Sequence, residues 1–434
     1  MFSTIKRKKV LIFSGGSYNG LQIYFALKDS VVFEPVPASS RYDYATFLLN
    51  ADDSLPFIND GNFVEKLNAY IESNDIEFII PTHDSIALIL MECQKQINAI
   101  ICCSEYETAY LCRFKSKTYE KLKVFNFVPK IYEKGNVQYP AFVKDDEGQG
   151  GKLSYLVKDI EELKSILTEH SKTKFVICEY LPGDEITVDC FTDRHGNLLY
   201  HKARLRAETL NGISSHSYFI EMNDEISYIA KTINDNIKFR GYWFFQCKKD
   251  MKGNYKLMEI CTRLAGSFSM SKNLDVNMPL LMLYDFMGQD VDIMPNNYNI
   301  ESQKTYIDRY KIDCDFKRVY LDFDDTLVEE RKYYKPDVFA FLLQCLNKKI
   351  EVVLLTKHKY DIFDTLNNMY IDKRLFSNII MVENGREKYE YMDMDKPSIM
   401  IDNSYRERKL AKEKLGINTF DVTNIECLID WQKR

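Results

Sequence analysis

The hydrophobic pattern of the chain changes period twice, and that change bounds the fold. Near the start, short apolar runs end in turn residues and alternate with amphipathic stretches. Val10 to Ser14, Glu77 to Pro81 and Ala99 to Cys103 read as buried strands, and Phe63 to Ser73 as a helix. Alternation of this kind predicts a parallel sheet with helices on its faces. The middle differs. YPAFVKD (139–145), EITVDCF (185–191), YWFFQCKKD (242–250) and GNYKLMEIC (253–261) alternate strictly between apolar and polar, the pattern of antiparallel sheet. From about Asp315 the strand–helix alternation returns. The prediction is an α/β and α+β multidomain chain divided at 1–110, 111–312 and 313–434, which suits a length of 434 residues.

Composition narrows the function classes. A hydrophobic share of 45% with 28% charged residues predicts a globular protein. A net charge of -6 argues against general nucleic-acid binding, which needs a basic surface. No apolar run approaches the ~20 residues of a membrane span. The eleven cysteines are scattered, with no paired CxxC, so neither a zinc site nor a disulfide framework is expected. A reducing, cytoplasmic location follows as the expectation.

The last third concentrates chemistry at predicted strand ends. Asp322 and Asp324 flank Phe323 where KRVYLDF stops, Thr356 closes EVVLLT, and Asp402 closes SIMID, with Lys388 in the preceding connection. Carboxyl ends of parallel strands converge on one crevice. Three carboxylates, a hydroxyl and an ammonium gathered there suit Mg2+ and phosphate. One carboxylate could attack phosphorus and a second act as acid and base. Asp325 is the spare.

These residues resemble the haloacid dehalogenase-like (HAD) phosphohydrolases over 313–434. Their DxDxT appears as Asp322 to Thr326, their threonine as Thr356, their lysine as Lys388 (Lys396 being the weaker match), and their acidic motif as Asp402. Asn403 stands where many relatives have a second aspartate. The resemblance implies a Rossmann-like domain with Asp322 as nucleophile, Asp324 as acid/base, and Asp322, Asp324 and Asp402 as metal ligands. About thirty residues separate Thr326 from Thr356, and about thirty more reach Lys388, so neither gap holds a cap domain.

In the middle segment, Lys144 ends a strand before the loop Gly148-Gln149-Gly150-Gly151, where glycines can expose backbone N–H groups to phosphate. If the hairpin about Lys252-Gly253 folds symmetrically, Gln246 and Glu259 lie opposite each other, with Arg263 four residues on. Oxygen donors and an arginine on one face suit a Mg-nucleotide. A solvent-facing sheet surface fits the same pattern.

Residues 1–300 together resemble the ATP-grasp superfamily, in the branch of the carbamoyl-phosphate synthetase large chain. SGG (14–16), SSR (39–41) and IIPTHD (79–84) resemble its pre-ATP-grasp domain. The resemblance implies ATP phosphate at Lys144 and the Gly148, Gly150 and Gly151 loop, adenine at Glu179 and the Leu181 backbone, and ribose at Glu185. It implies Mg2+ at Gln246 and Glu259, with Mn2+ an acceptable substitute, and the transferred phosphate at Arg263. Lys115 matches a further ATP-site lysine, and Arg206, in RLRAETLNGIS (204–214), faces substrate as part of an arginine-bearing loop. Cys261 departs from the family's asparagine, and Asp145-Asp146-Glu147 crowds the phosphate loop with negative charge.

The implied protein is a bifunctional enzyme. An ATP-dependent carboxylate–amine (or thiol) ligase working through an acyl-phosphate is joined to a Mg-dependent phosphatase. The alternative is a phosphatase carrying a nucleotide-binding sensor. Expected partners are a small carboxylate, an amine and a phosphate ester, with no nucleic acid and no membrane; a homodimer is allowed.

Overall fold

The computed structural model describes residues 6–148, 151–210, 212–305, 309–310 and 312–430. The chain divides between residues 305 and 306 into two compact units, so the first two segments expected from sequence share one unit.

The first unit opens with a four-stranded parallel sheet in the order Phe33–Ala38, Lys8–Phe13, Ile76–Pro81, Ile100–Ile101. Alternate residues of its second strand serve opposite faces. Val10 and Ile12 pack with Ile23 and Leu27 of the helix Tyr18–Leu27, while Leu11 and Phe13 pack with Leu67 and Ile71 of the helix Phe63–Asn74. The strand FEPVPA (33–38) was not expected. Its two prolines remove ladder donors, and the sheet accommodates them by placing the strand at its edge.

Two antiparallel sheets follow. The smaller runs Ser154–Val157, Ala141–Asp145, Phe175–Glu179. The larger has six strands in the order Tyr255–Cys261, Gly241–Lys249, Glu185–Thr192, Leu198–Leu210, Ile213–Phe219, Glu301–Gln303. One face of the larger sheet, with Val188, Cys190, Trp243 and Phe245, packs on Ile226, Ile229 and Ile233 of the helix Asp224–Asn236. The opposite face carries Tyr242 and Phe244, then grades into polar residues.

Within that face Asp189, wholly buried, pairs with the Arg204 guanidinium and accepts from the Tyr242 hydroxyl. Burial acts against the charge on Arg204, but Asp189 outweighs it and raises its pKa. Asp189→Ala would strand a buried guanidinium, at a cost of about 3–5 kcal/mol. Urea denaturation measures this, and a loss below about 1 kcal/mol, the scale of an exposed pair, would contradict it.

The second unit is a five-stranded parallel sheet in the order Asn378–Met381, Glu351–Thr356, Arg318–Leu321, Ser398–Ile401, Asn418–Phe420. Helices cover both faces. Val319 and Leu321 meet Phe341 and Leu342 of the helix Pro336–Asn347, while Tyr320 and Met400 meet Ala411 of the helix Tyr405–Leu415. The gap between Thr326 and Thr356 holds that helix and a strand, plus an unexpected small hairpin, Val328–Glu329 with Tyr333–Tyr334. No helix among the described residues is long and apolar enough to cross a membrane.

Candidate functional site

The first unit assembles a polar row on one sheet face. Gln246 pairs directly with Glu259 on one side and Thr187 on the other, and Thr187 pairs with Arg204. The hairpin does set Gln246 against Glu259, but not by symmetry: Cys247 faces Leu257, a register that would bring Met258 opposite Gln246, and a bulge at Met258 restores the pair. Two lysines approach that row from other elements. Lys144 Nζ donates to the Tyr119 hydroxyl at 2.6 Å and to the Met258 carbonyl, beside Glu259, at 3.3 Å. Lys115 Nζ donates to the carbonyls of Gly148 at 2.8 Å and Asp145 at 3.2 Å. Burial lowers the Lys115 pKa, and Glu259 opposes that shift. Tyr119 was missed in the sequence. It sits four residues after Lys115 in the helix Lys115–Leu122, hence on the same face.

Several expected residues are placed differently from the sequence reading. The Gly148 N–H donates back to the Asp145 carbonyl at 3.1 Å, and it is the Gly148 carbonyl that faces Lys115, so Gly148 offers no free donor there. Gly151 has φ +72°, a conformation natural to glycine; Gly150 lies outside the described residues. Glu179 accepts from the Lys130 N–H at 2.8 Å, and Leu181 is buried beyond it. The segment 204–214 is no loop but a hairpin between Leu198–Leu210 and Ile213–Phe219, so Arg206 stands on a strand and pairs with Glu185 at 3.1 Å. Arg263 is engaged by Asp84, the last residue of IIPTHD, at 2.8 Å. Burial acts against the Arg263 charge, yet Asp84 raises its pKa. Two of the three acids beside the glycine loop are neutralised locally. Asp146 turns inward to the Ser116 N–H and hydroxyl, both at 2.7 Å, and to Lys174 at 2.9 Å, while Glu147 lies 3.6 Å from Arg113.

The donor set at Gln246 and Glu259 is one carboxylate and one amide carbonyl, and no cluster of three or more acidic, histidine or cysteine ligands occurs among the described residues. That set fits Mg2+, which keeps waters and takes phosphate oxygens as ligands. Cys261 adds little, because burial, then Asp84 and Glu259, raise its thiol far above neutrality and keep it uncharged.

In the second unit, parallel register puts Leu321 beside both Leu354 and Ile401, so Asp322 and Asp402 emerge side by side. Lys388 bridges them, at 2.5 Å to Asp322 and 2.6 Å to Asp402, and all three are buried. Thr326 donates to the second Asp322 oxygen at 3.1 Å and accepts the Asn403 N–H at 3.0 Å. Burial raises the Asp322 pKa to about 6; Lys388 opposes and Asp402 adds to the shift. One ammonium between two carboxylates leaves one negative charge uncompensated in a buried place, which a divalent cation would balance.

Asp324 does not join this cluster. Its carboxylate lies 2.8 Å from His358 Nδ1, and His358 Nε2 lies 2.9 Å from the Thr365 hydroxyl. Both acids lie beyond the end of the strand Arg318–Leu321, and the buried imidazole two residues after Thr356 captures Asp324. Of the three carboxylates implied as metal ligands, the structure brings Asp322 and Asp402 together, while Asp324 is held by His358. Thr356 is buried and accepts the His358 N–H at 3.1 Å. Lys396, the weaker alternative to Lys388, pairs with Glu351 at 2.8 Å.

Comparison with known proteins places the first unit. Residues 171–306 match the family model described as ATP-grasp in the biosynthetic pathway with Ter operon. The fold is shared with biotin carboxylase from Campylobacter jejuni, solved with β-γ-ATP: TM-score 0.55, 17% identity, 66% of this chain and 72% of that one. It is shared also with N5-carboxyaminoimidazole synthetase from Staphylococcus aureus, complexed with ADP: TM-score 0.55, 17% identity, 68% and 80%. An L-amino acid ligase from Bacillus licheniformis superposes with TM-score 0.52 at 15% identity over 65% and 75%. No curated protein matches the sequence. The first unit has an ATP-grasp fold.

Proposed function

We propose that the first unit is an ATP-dependent ligase that joins a carboxylate to an amine through an acyl-phosphate. The observation that carries this reading is the row Glu259–Gln246–Thr187 with Lys144 and Lys115 closing on it. Nucleotide in this place meets two ammonium groups for its phosphates. When bound at Gln246 and Glu259, Mg2+ would supply charge neutralisation on the phosphates. Arg263, kept ionised and oriented by Asp84, is positioned to hold a transferred phosphoryl group. Related folds solved with ADP or ATP support nucleotide as the ligand, and the amino acid ligase supports carboxylate–amine chemistry.

For the second unit the reading is a HAD-type phosphatase. Asp322 is the nucleophile, steadied by Lys388 and Thr326, and Asp324 moves the proton, steered by His358. Mg2+ would sit at Asp322 and Asp402 and offset their surplus charge.

One observation favours a second reading of the first unit. The neutral Cys261 thiol leaves Glu259 as the sole carboxylate of its row, which suits a nucleotide-binding sensor of low turnover. ADP release by the full chain over panels of carboxylates and amines separates the two. A ligase releases ADP only when both classes are present. A sensor binds ATP and releases none under any pairing.

A further inference from the structure

The four buried side-chain nitrogens and oxygens that lack a hydrogen-bond partner among the described residues are not scattered. Three are cationic donors of one neighbourhood: Arg204 Nε, Arg206 Nε and Lys304 Nζ. Arg204 and Arg206 share a face of the strand Leu198–Leu210. Ser217 of the next strand pairs with Arg206, and Lys304 follows the strand Glu301–Gln303 paired beyond it, its own N–H held by the Ser215 carbonyl at 2.7 Å. Both arginines feel Lys304 electrostatically, and burial together with them lowers the lysine pKa to about 8.

The charge count of the cluster is uneven. Asp189 neutralises Arg204, and Glu185 neutralises Arg206, although the 3.1 Å contact to Arg206 Nε is out of line for a hydrogen bond. Nothing among the described residues neutralises Lys304. Its Nζ rests 4.3 Å from the centroid of the Tyr18 ring, a weak partner that leaves all three N–H bonds unmade. A buried donor without a partner is costly, and native structures keep one where something else completes it.

The surroundings say what completes it. Tyr18 is the first residue of the ten-residue helix Tyr18–Leu27, whose N-terminus follows Gly15, Gly16 and the capping Ser17. Aligned peptide dipoles make such an end attractive to negative charge. A side chain on Gly266 would come within 3.6 Å of Lys304 Nζ, and Gly266 follows Arg263 in the turn leaving the Glu259 strand. Asn19 donates to the Leu264 carbonyl at 3.0 Å and ties the helix to that same turn. The unpaired ammonium is therefore placed beside the residues proposed to handle the transferred phosphoryl group.

We propose that Lys304, flanked by Arg206 and the N-terminus of the helix Tyr18–Leu27, anchors an oxyanion group of the substrate that the first unit ligates. The inference rests on the ligase reading for its role, but the anion site itself does not. One surplus positive charge calls for one negative charge, carried by a carboxylate or a phosphate of the substrate.

The test is calorimetric titration of the full chain with succinate, L-glutamate and inorganic phosphate, without nucleotide. The first two probes report a carboxylate and the third a phosphate. We expect saturable binding of at least one probe to the wild type. Lys304→Met should weaken it at least tenfold, Lys304→Arg should retain it within threefold, and Mg-ATP affinity should stay unchanged in both. Lys304→Gln repeats the comparison should the methionine variant misfold. Equal probe affinity in wild type and charge-free variants overturns the proposal, as does the absence of saturable binding by all three probes to the wild type. Probe binding that depends on Lys304 in a chain showing no ADP release would remove the ligase reading and leave the anion site standing.

Discussion

Asp322→Asn is expected to abolish hydrolysis of a phosphate monoester, by a factor of at least ~10³. The amide cannot attack phosphorus, while its shape fits the same space between Lys388 and Thr326. The fold should survive. Removing one of the two carboxylates that share Lys388 leaves a neutral Lys388–Asp402 pair where there was a surplus negative charge. Turnover of p-nitrophenyl phosphate with Mg2+ measures the loss, and near-UV circular dichroism reports the packing. Turnover close to the wild type would assign the nucleophile elsewhere.

Glu259→Ala is expected to weaken Mg-dependent ATP binding on the order of 10²-fold, since it removes the one carboxylate of the row and the charge that most favours the Lys115 ammonium. Lys144→Ala should act in the same direction, although less strongly, because Lys115 remains. Phosphatase turnover should be untouched in both variants, because the change lies in the other compact unit. Calorimetry with a non-hydrolysable ATP analogue and Mg2+ measures the first effect. Unchanged affinity in both variants would remove nucleotide binding from this row.

What the sequence disclosed and what it hid follow from the range of the interactions. The pairing of Gln246 with Glu259 was legible only in part: the two strands and their turn could be read, but the register set by the turn runs one residue off, and a bulge at Met258 restores the pair. The convergence of Asp322 and Asp402 was legible because parallel strands deliver their ends to one edge. The strand with Pro35 and Pro37 was hidden, since only its place at a sheet edge makes those prolines tolerable. Asp324 was placed in the metal set by the resemblance of its motif. Its capture by His358 needed the neighbouring strand, although a histidine two residues after Thr356 was a readable signal. The pairing of Arg263 with Asp84 spans 179 positions, and no local pattern announces a contact of that separation. Lys304 was invisible for the same reason. A lysine in a polar stretch reads as solvated until the fold buries its ammonium beside two arginines.

A ligase of this kind makes an acyl-phosphate in its first unit. Hydroxylamine intercepts such a species directly. The full chain is incubated with Mg-ATP, hydroxylamine and a panel of carboxylic acids, with Glu259→Ala as control, and hydroxamate is measured by its ferric complex. Hydroxamate is expected from at least one acid, formed in equal amount with ADP, dependent on ATP and absent in Glu259→Ala. ATP bound with full affinity while no acid in the panel yields hydroxamate or ADP would contradict the ligase reading and leave the first unit a nucleotide sensor.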